Sequence, residues 1–266
     1  MQGAGNDYVY IDNRNGCVQH PETLAPKISD RHFGVGSDGL VLIENSQKAD
    51  VRMRMFNPDG SEAEMCGNAS RCVARFAWER FFQKDRLSFD LETGAGIKHI
   101  LIHAGKSGFE SATVDMGVPI LEPAQIPISA DTNRIQLDGR AFTCVSMGNP
   151  HAVTFVENVQ TAPVLTKGPE YELAAVFPRK SNIEFVEVLD RKTAKMRVWE
   201  RGTGETLACG TGACATLVAC VLNDKTDREI DLKLLGGTLH IEWRSSDSHV
   251  LMTGPAEFVF DGTYND

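Results

Sequence analysis

The feature that most constrains this chain is an internal repeat with a single offset of 143 residues. The same signal, Cys-Gly followed by a small polar residue, occurs at Cys66 and again at Cys209. Other segments match at this offset without a gap, including Gly5-Asn6 with Gly148-Asn149. The offset is longer than the periods of solenoids and propellers, so the repeat predicts a duplicated domain with two halves of ordinary domain size.

Each half contains several strand-like segments and one long apolar helix. The helices are predicted at residues 67–82 and 210–222, each directly after its cysteine. This pattern favours an α+β fold, in which a curled mixed or antiparallel sheet wraps around a central helix, over alternating βαβ units. Strands are predicted at residues 8–11, 40–43, 51–56, 87–91, 97–102, 142–147, 152–156, 183–188, 195–199, 230–235 and 238–243.

The composition argues against several classes of function. The formal net charge is −9 and no basic run stands out, which makes nucleic acid and anionic membranes poor partners. No apolar run is long enough to span a bilayer, and the N-terminus does not resemble a secretion signal. The seven cysteines contain no Cys-x-x-Cys pair, so we expect neither a disulfide scaffold nor structural zinc, and we expect a reducing cytoplasm.

Cys66 and Cys209 are the candidate catalytic residues. Each directly precedes a predicted helix, whose first backbone N–H groups should lower the pKa of the thiol and bind an anion. Two such thiols fit proton transfer at an amino acid α-carbon: one thiolate removes the proton and the other thiol delivers one to the opposite face. This scheme requires no metal and no pyridoxal cofactor. The other five cysteines are interpreted as small buried hydrophobes: Cys17, Cys72, Cys144, Cys214 and Cys220.

Polar residues at repeat-related turns form a second candidate set. His151 and Glu200 align with Tyr8 and Asn57 of the other half and could assist a thiol, although a structural hydrogen bond and a solvated salt bridge explain them equally well. Further residues could bind a second amino acid head group, since Asn is common in turns and Arg holds a carboxylate bidentately: Asn6, Asn57, Asn149, Asn182 and Arg201. The remaining histidines lack ligand-like spacing and are interpreted as structural: His20, His32, His99, His103, His240 and His249.

Seven segments, in order along essentially the whole chain, resemble the diaminopimelate epimerase family. They are GAGNDY (3–8), RHFGVG (31–36), NPDGSEAEMCGN (57–68), GNPH (148–151), ERG (200–202), ETLACGTGA (205–213) and TGPAEF (253–258). The resemblance implies a cofactor-independent enzyme that interconverts LL- and meso-2,6-diaminopimelate for lysine and peptidoglycan synthesis. It also implies a cytoplasmic homodimer with no metal.

The resemblance implies roles for individual residues. Cys66 and Cys209 would be the two acid/bases, supported by His151 and Glu200. The backbone of Gly67-Asn68 and Gly210-Thr211 would bind the reacting carboxylate. The remaining substrate-binding positions would be Asn6, Asn57, Asn149, Asn182, Glu200 and Arg201.

The resemblance further implies two pseudo-symmetric domains with the active site in the cleft between them. We expect residues 1–111 to form the N-terminal half, completed by a C-terminal strand at 256–266. Residues 112–255 would form the C-terminal half.

Three other functions are also compatible with parts of this sequence. A racemase of the same architecture acting on proline or hydroxyproline would share the two thiols, but the Asn and Arg set favours a longer substrate with a second charged end. A catalytically silent amino acid binding protein would need neither thiol. A redox dithiol protein would be expected to carry the Cys-x-x-Cys spacing.

Overall fold

The computed structural model describes residues 1–265 and divides the chain into two units. The first unit is Met1–Asp115 together with the segment that begins at Thr253, and the second is Met116–Met252. The predicted boundary at residue 111 is corrected to Asp115, because Gly108–Asp115 is one strand that pairs with the strand before it.

The first unit contains nine strands and two α-helices among the described residues. The strands are β1 (Gln2–Gly3), β2 (Asn6–Asp7), β3 (Val9–Asp12), β4 (Leu40–Glu44), β5 (Val51–Phe56), β6 (Glu62–Ala63), β7 (Ser88–Thr93), β8 (Gly96–Gly105) and β9 (Gly108–Asp115). The helices are α1 (Pro21–Ser29) and α2 (Gly67–Arg80).

The second unit contains a similar set of strands and helices. Its strands are β10 (Arg134–Leu137), β11 (Arg140–Ser146), β12 (Pro150–Phe155), β13 (Asn182–Asp190), β14 (Thr193–Glu200), β15 (Gly204–Glu205), β16 (Glu229–Leu234) and β17 (Gly237–Trp243). Its helices are α3 (Val164–Glu172) and α4 (Gly210–Leu222), with a 3₁₀ turn at Val159–Thr161. A final strand, β18 (Val250–Gly254), ends the second unit and begins the C-terminal segment of the first.

Strand pairing repeats from one unit to the other. In the first, β3 is parallel to β4, β4 antiparallel to β5, β5 parallel to β7 and β7 antiparallel to β8. In the second, β12, β13, β14, β16 and β17 follow the same sequence of parallel and antiparallel pairs. The registers agree as well, because Val9 lies opposite Leu40 and Ala152 lies opposite Ile183, each shifted by the repeat offset. The structure therefore supports a duplication.

Each long helix packs within the sheet of its own unit. The α4 helix contacts β11, β12, β13, β14, β16 and β17, so the second sheet curls around it. Its small and apolar residues are buried on nearly every side, from Gly212 to Cys220. The α2 helix packs against β1, β5, β8 and β9. The predicted α+β class, with a mixed sheet around a helix in each half, is confirmed.

Two helices and several strands differ from the sequence-based expectation. The strands β9, β10 and β18 and the two-residue strands β1, β2, β6 and β15 were not predicted. The α1 and α3 helices were not predicted, because each contains an internal proline, Pro26 and Pro169, which normally indicates a helix end. The predicted C-terminal strand at 256–266 is wrong: within it, the described residues form only an isolated bridge between Gln2 and Glu257. Asp266, its last residue, lies outside the described residues. Among the helices of residues 1–265, none has the length and apolar composition that a membrane span requires.

Candidate active site

Both candidate cysteines are N-cap residues of the long helices, as their sequence positions predicted. Cys66 has extended backbone angles, φ −137° and ψ 121°, and its Sγ accepts a hydrogen bond from the Ala69 amide at 3.5 Å. Cys209 has φ −112° and ψ 111°, and its Sγ accepts from the Gly212 amide at 3.4 Å. Each sulfur therefore satisfies one of the amide groups that a helix start leaves without an intrahelical partner.

In the first unit, Asn6 contacts the Cys66 sulfur, and Asn68 contacts Asn6. The Cys66 thiol lies 3.4 Å from Oδ1 of Asn6, and the side-chain nitrogen Nδ2 of Asn68 lies 3.4 Å from the same oxygen. Asn6 donates through Nδ2 to the Asp38 carboxylate at 2.7 Å. Because a carboxylate only accepts, this bond turns the amide oxygen of Asn6 toward the thiol.

In the second unit, the surroundings of Cys209 favour the protonated thiol. The residue is 4% exposed, and its pKa is raised well above the ordinary value, first by burial and then by the charges of Glu200 and Glu184. Hydrogen bonds from Thr211 and Gly212 act in the opposite direction but are weaker. The expectation that the helix start lowers this pKa is therefore wrong for Cys209, because burial and two carboxylates outweigh it.

His151 lies at the start of β12 and pairs with a residue that the sequence analysis missed. Its Nδ1 lies 2.7 Å from Oε1 of Glu184 on the adjacent parallel strand, and its Nε2 lies 3.0 Å from Oδ1 of Asn149. Both His151 and Glu184 have no exposed surface. The available signal was a carboxylate among the apolar residues of β13, at the repeat position where the first half has Val41.

Glu200 and Arg201 lie at the end of β14, in a turn that is fixed by side-chain hydrogen bonds. Glu200 accepts from the Thr206 hydroxyl at 2.5 Å. Asn182 accepts from the Arg201 amide at 2.9 Å and donates to the Pro150 carbonyl at 2.7 Å. The buried Asn182 side chain thus connects the Arg201 turn to the start of the strand that carries His151.

A second carboxylate supports the same turn from α3. Glu172 accepts from the indole N–H of Trp199 at 2.8 Å and from the Gly202 amide at 3.0 Å. The Arg201 side chain is exposed and donates to the Arg179 carbonyl at 3.2 Å. The backbone of the turn is therefore fixed from both sides, while the guanidinium group remains accessible to solvent.

The structure brings together most of the predicted residues within each unit. In the first unit Gly67 and Asn68 directly follow Cys66, and Asn6 contacts both the Cys66 thiol and the Asn68 side chain. Gly210 and Thr211 directly follow Cys209 in the second unit. Asn57 follows β5, and its side chain donates to Ser61 within its own turn at 3.0 Å.

The structure also shows which of the other five cysteines are buried. Four of the five cysteines interpreted as buried hydrophobes are buried: Cys72, Cys144, Cys214 and Cys220. The interpretation is wrong for Cys17, which is exposed because it follows a surface turn. Across residues 1–265, no group of three or more His, Cys, Asp or Glu side chains is arranged to hold a metal ion.

A family model and curated proteins are similar to this chain over most of its length. A family model described as diaminopimelate epimerase matches residues 1–122 and 143–259. A diaminopimelate epimerase of Acetivibrio thermocellus is 54% identical, over 98% of this chain and 96% of that protein. A diaminopimelate epimerase of Methanococcus maripaludis is 51% identical, over 98% of this chain and 97% of that protein.

A solved structure shares the fold at low sequence identity. A PhzF-family phenazine biosynthesis protein of Bacillus anthracis superposes with a TM-score of 0.69 at 20% identity. The match covers 96% of this chain and 91% of that protein. At this sequence identity, the similarity shows a shared fold and nothing about function.

Proposed function

The chain belongs to the diaminopimelate epimerase family, and from that membership we propose that it interconverts LL- and meso-2,6-diaminopimelate. The observation that carries the proposal is the near-complete match to relatives of that name, combined with a cysteine at the start of each long helix. The reaction inverts the configuration of one α-carbon. Without a cofactor, the inversion needs a base on one face of that carbon and an acid on the opposite face.

The two thiols supply these groups. In one direction the Cys66 thiolate removes the α-proton, and the Cys209 thiol gives its proton to the other face of the carbon. The negative charge passes from Cys66 to Cys209, and the reverse reaction returns it. The raised pKa of Cys209 supports its role as the proton donor in the first of these directions.

Backbone amides stabilise the charge that develops on the substrate. The first amides of α2 and α4, at Gly67-Asn68 and Gly210-Thr211, bind the reacting carboxylate, where the positive ends of the helix dipoles stabilise carbanion character. His151 and Glu200 support the thiols. The second amino acid head group is bound by the polar side chains Asn6, Asn57, Asn149, Asn182, Glu200 and Arg201.

We also propose the cellular setting that the family membership implies. The enzyme works without a cofactor as a cytoplasmic homodimer, in the synthesis of lysine and peptidoglycan. Its seven cysteines without a Cys-x-x-Cys pair support a reducing compartment.

Exchange of the α-proton with solvent tests the reaction and the substrate together. The protein is incubated in D₂O separately with diaminopimelate, proline, hydroxyproline and lysine, and mass spectrometry follows deuterium at the α-position. We expect exchange with diaminopimelate alone. Exchange with proline or hydroxyproline instead would identify a racemase of the same fold, and the proposal would be abandoned.

Single substitutions test the two-thiol mechanism. Cys66→Ala and Cys209→Ala should each lower kcat by more than about a hundredfold, because each removes an acid/base group. Cys17→Ala is the matched control, since this exposed cysteine has no role in the scheme. Full turnover by either of the first two variants would contradict the mechanism.

A further inference from the structure

At one buried position of the matching sheets, a carboxyl group in the second unit stands where the first unit has an apolar side chain. Glu184 on β13 occupies the repeat position of Val41 on β4, and both residues have no exposed surface. The local register is the same, because Val41 lies opposite Tyr10 and Glu184 lies opposite Val153. The fold therefore accommodates valine at this position, and a buried carboxyl group, which is costly to desolvate, is not needed to build the sheet.

The hydrogen bonds of His151 show what the carboxyl group does there. Nε2 of the ring faces Oδ1 of Asn149, an atom that only accepts, so Nε2 carries a proton. Nδ1 faces Oε1 of Glu184 at 2.7 Å, and these two atoms share one further proton. Whether that proton is on the carboxyl group or on the ring, the pair is neutral overall, and the ring orientation is fixed by both of its nitrogens.

A missing side chain makes room for this carboxyl group beside Cys209. A Cβ at Gly212 would lie 2.8 Å from Oε1 of Glu184 and 3.2 Å from Sγ of Cys209. The repeat equivalent of Gly212 is Ala69, which does carry a Cβ. Glycine at this position therefore accompanies the carboxyl group, just as alanine accompanies valine in the first unit.

The second carboxyl oxygen of Glu184 does not contribute a hydrogen bond to the described part of the fold. Oε2 of Glu184 is buried, and among residues 1–265 no hydrogen-bond partner lies within reach of it. A buried oxygen without a partner is unfavourable for folding. The arrangement is therefore difficult to explain by stability alone.

We propose that Glu184 is a positioning residue, which holds the His151 ring with its Nε2 proton toward Asn149 and places a carboxyl group against the first turn of α4 beside Cys209. Its effect on catalysis rests on the proposed function, whereas its effect on the ring does not. The ionisable groups that interact with Glu184 are His151, Glu200, Cys209 and Cys144.

Glu184→Gln is the principal test, because it keeps the size of the side chain and removes its charge and its shared proton. We expect kcat for diaminopimelate to fall at least about tenfold with KM unchanged within about twofold, since the substitution affects acid/base support rather than binding. Glu187→Gln is the matched control: the same substitution on the same strand, at a carboxylate that bonds the Val159 amide and Lys195. It should keep the wild-type kcat.

Nitrogen NMR of ¹⁵N-labelled histidine gives a readout that does not depend on turnover. In the Glu184→Gln variant the Nδ1 signal of His151 should shift, because the proton that Nδ1 shares with a carboxyl group is replaced by the N–H of an amide, whereas Nε2 should stay protonated. The Glu187→Gln variant should leave both signals in place. If the wild-type protein fails to epimerise diaminopimelate, the proposed function falls, and this NMR comparison still decides the role of Glu184.

A double substitution separates positioning from folding. Glu184→Val with Gly212→Ala copies the pair found at positions 41 and 69 into the second unit. We expect a cooperative melt and the wild-type circular dichroism spectrum, together with the loss of kcat. Wild-type kcat in either Glu184 variant, or His151 signals unchanged by Glu184→Gln, would overturn the proposal.

Discussion

Burial dominates the chemistry of single thiols in this protein. Cys209 is N-terminal to a helix and accepts an amide hydrogen bond, yet its pKa is raised because desolvation penalises the thiolate and two carboxylates lie nearby. Burial also determines the direction of the pKa shift of Cys144 and Cys220, which take no part in the proposed reaction. Burial raises the pKa of each to about 12.

These raised thiol pKa values predict lower stability at alkaline pH. Above the ordinary thiol pKa of 9.0, the unfolded chain releases protons that the folded protein keeps, so the free energy of unfolding decreases as pH rises from 9 toward 12. At pH 10 each such thiol should remove about 1.4 kcal/mol. Urea denaturation at pH 8 and pH 10 measures the loss.

Other groups also titrate in this range, so the contribution of the thiols is measured by difference. A variant with Cys144→Ala and Cys220→Ala should lose less stability between pH 8 and pH 10 than the wild type. Equal losses in the two proteins would show that these thiols are not responsible.

At the scale of single elements, α3 supports the candidate site through the side chain of Glu172. Glu172 binds the Trp199 indole and the Gly202 amide, and both flank the turn that carries Glu200 and Arg201. The sequence of this helix does not predict it, because a proline inside a short and weakly apolar segment argues against a helix. Helices α2 and α4 were predicted, because a cysteine cap followed by a long apolar run is a strong local pattern.

Glu172→Ala should weaken the turn that α3 supports. We expect KM for diaminopimelate to rise, because Arg201 and Glu200 lose their fixed backbone, and the free energy of unfolding to fall by about 1–3 kcal/mol, because the amide and the indole lose a buried acceptor. Steady-state kinetics and urea denaturation measure the two effects.

Glu170→Ala on the same helix is the control for this prediction. Its carboxylate is exposed and pairs with Lys167, so its loss should change stability by less than about 1 kcal/mol and leave KM unchanged. A KM that rises equally in both variants would mean that disturbance of α3, rather than the Glu172 contacts, is the cause.

At the scale of the whole molecule, the sequence predicted the duplication because matching segments at one offset require no knowledge of long-range contacts. It did not predict where the units end, because that depends on strand pairing, which placed the boundary after β9. It also missed Glu184. A buried carboxylate is recognised by its partner, and His151 lies 33 residues away in the sequence.

The C-terminal segment of the first unit gives a prediction at the same scale. Arg75 forms an ion pair with Glu257 at 2.8 Å and donates to the Ala256 carbonyl at 2.7 Å, and Arg80 pairs with Asp261 at 2.9 Å. Deletion from residue 256 onward should therefore speed hydrogen exchange at the amides of α2. Mass spectrometry of peptides from α2 and α4 measures the change.

The α4 peptides serve as the internal reference for that deletion. Their exchange should be unaffected, because the partners of α4 lie within the second unit. Equal acceleration in both helices would show that the deletion loosens the protein as a whole.

Register identity between the two sheets also bears on ancestry. A half-length ancestor that assembled with a copy of itself would have carried every residue twice, so a change useful on one side would have been imposed on the other. When both copies lie in one chain, each position of a matching pair can change independently. The carboxyl group on β13 and the valine on β4 occupy matching positions with different chemistry, a difference in sequence that two identical chains could not carry.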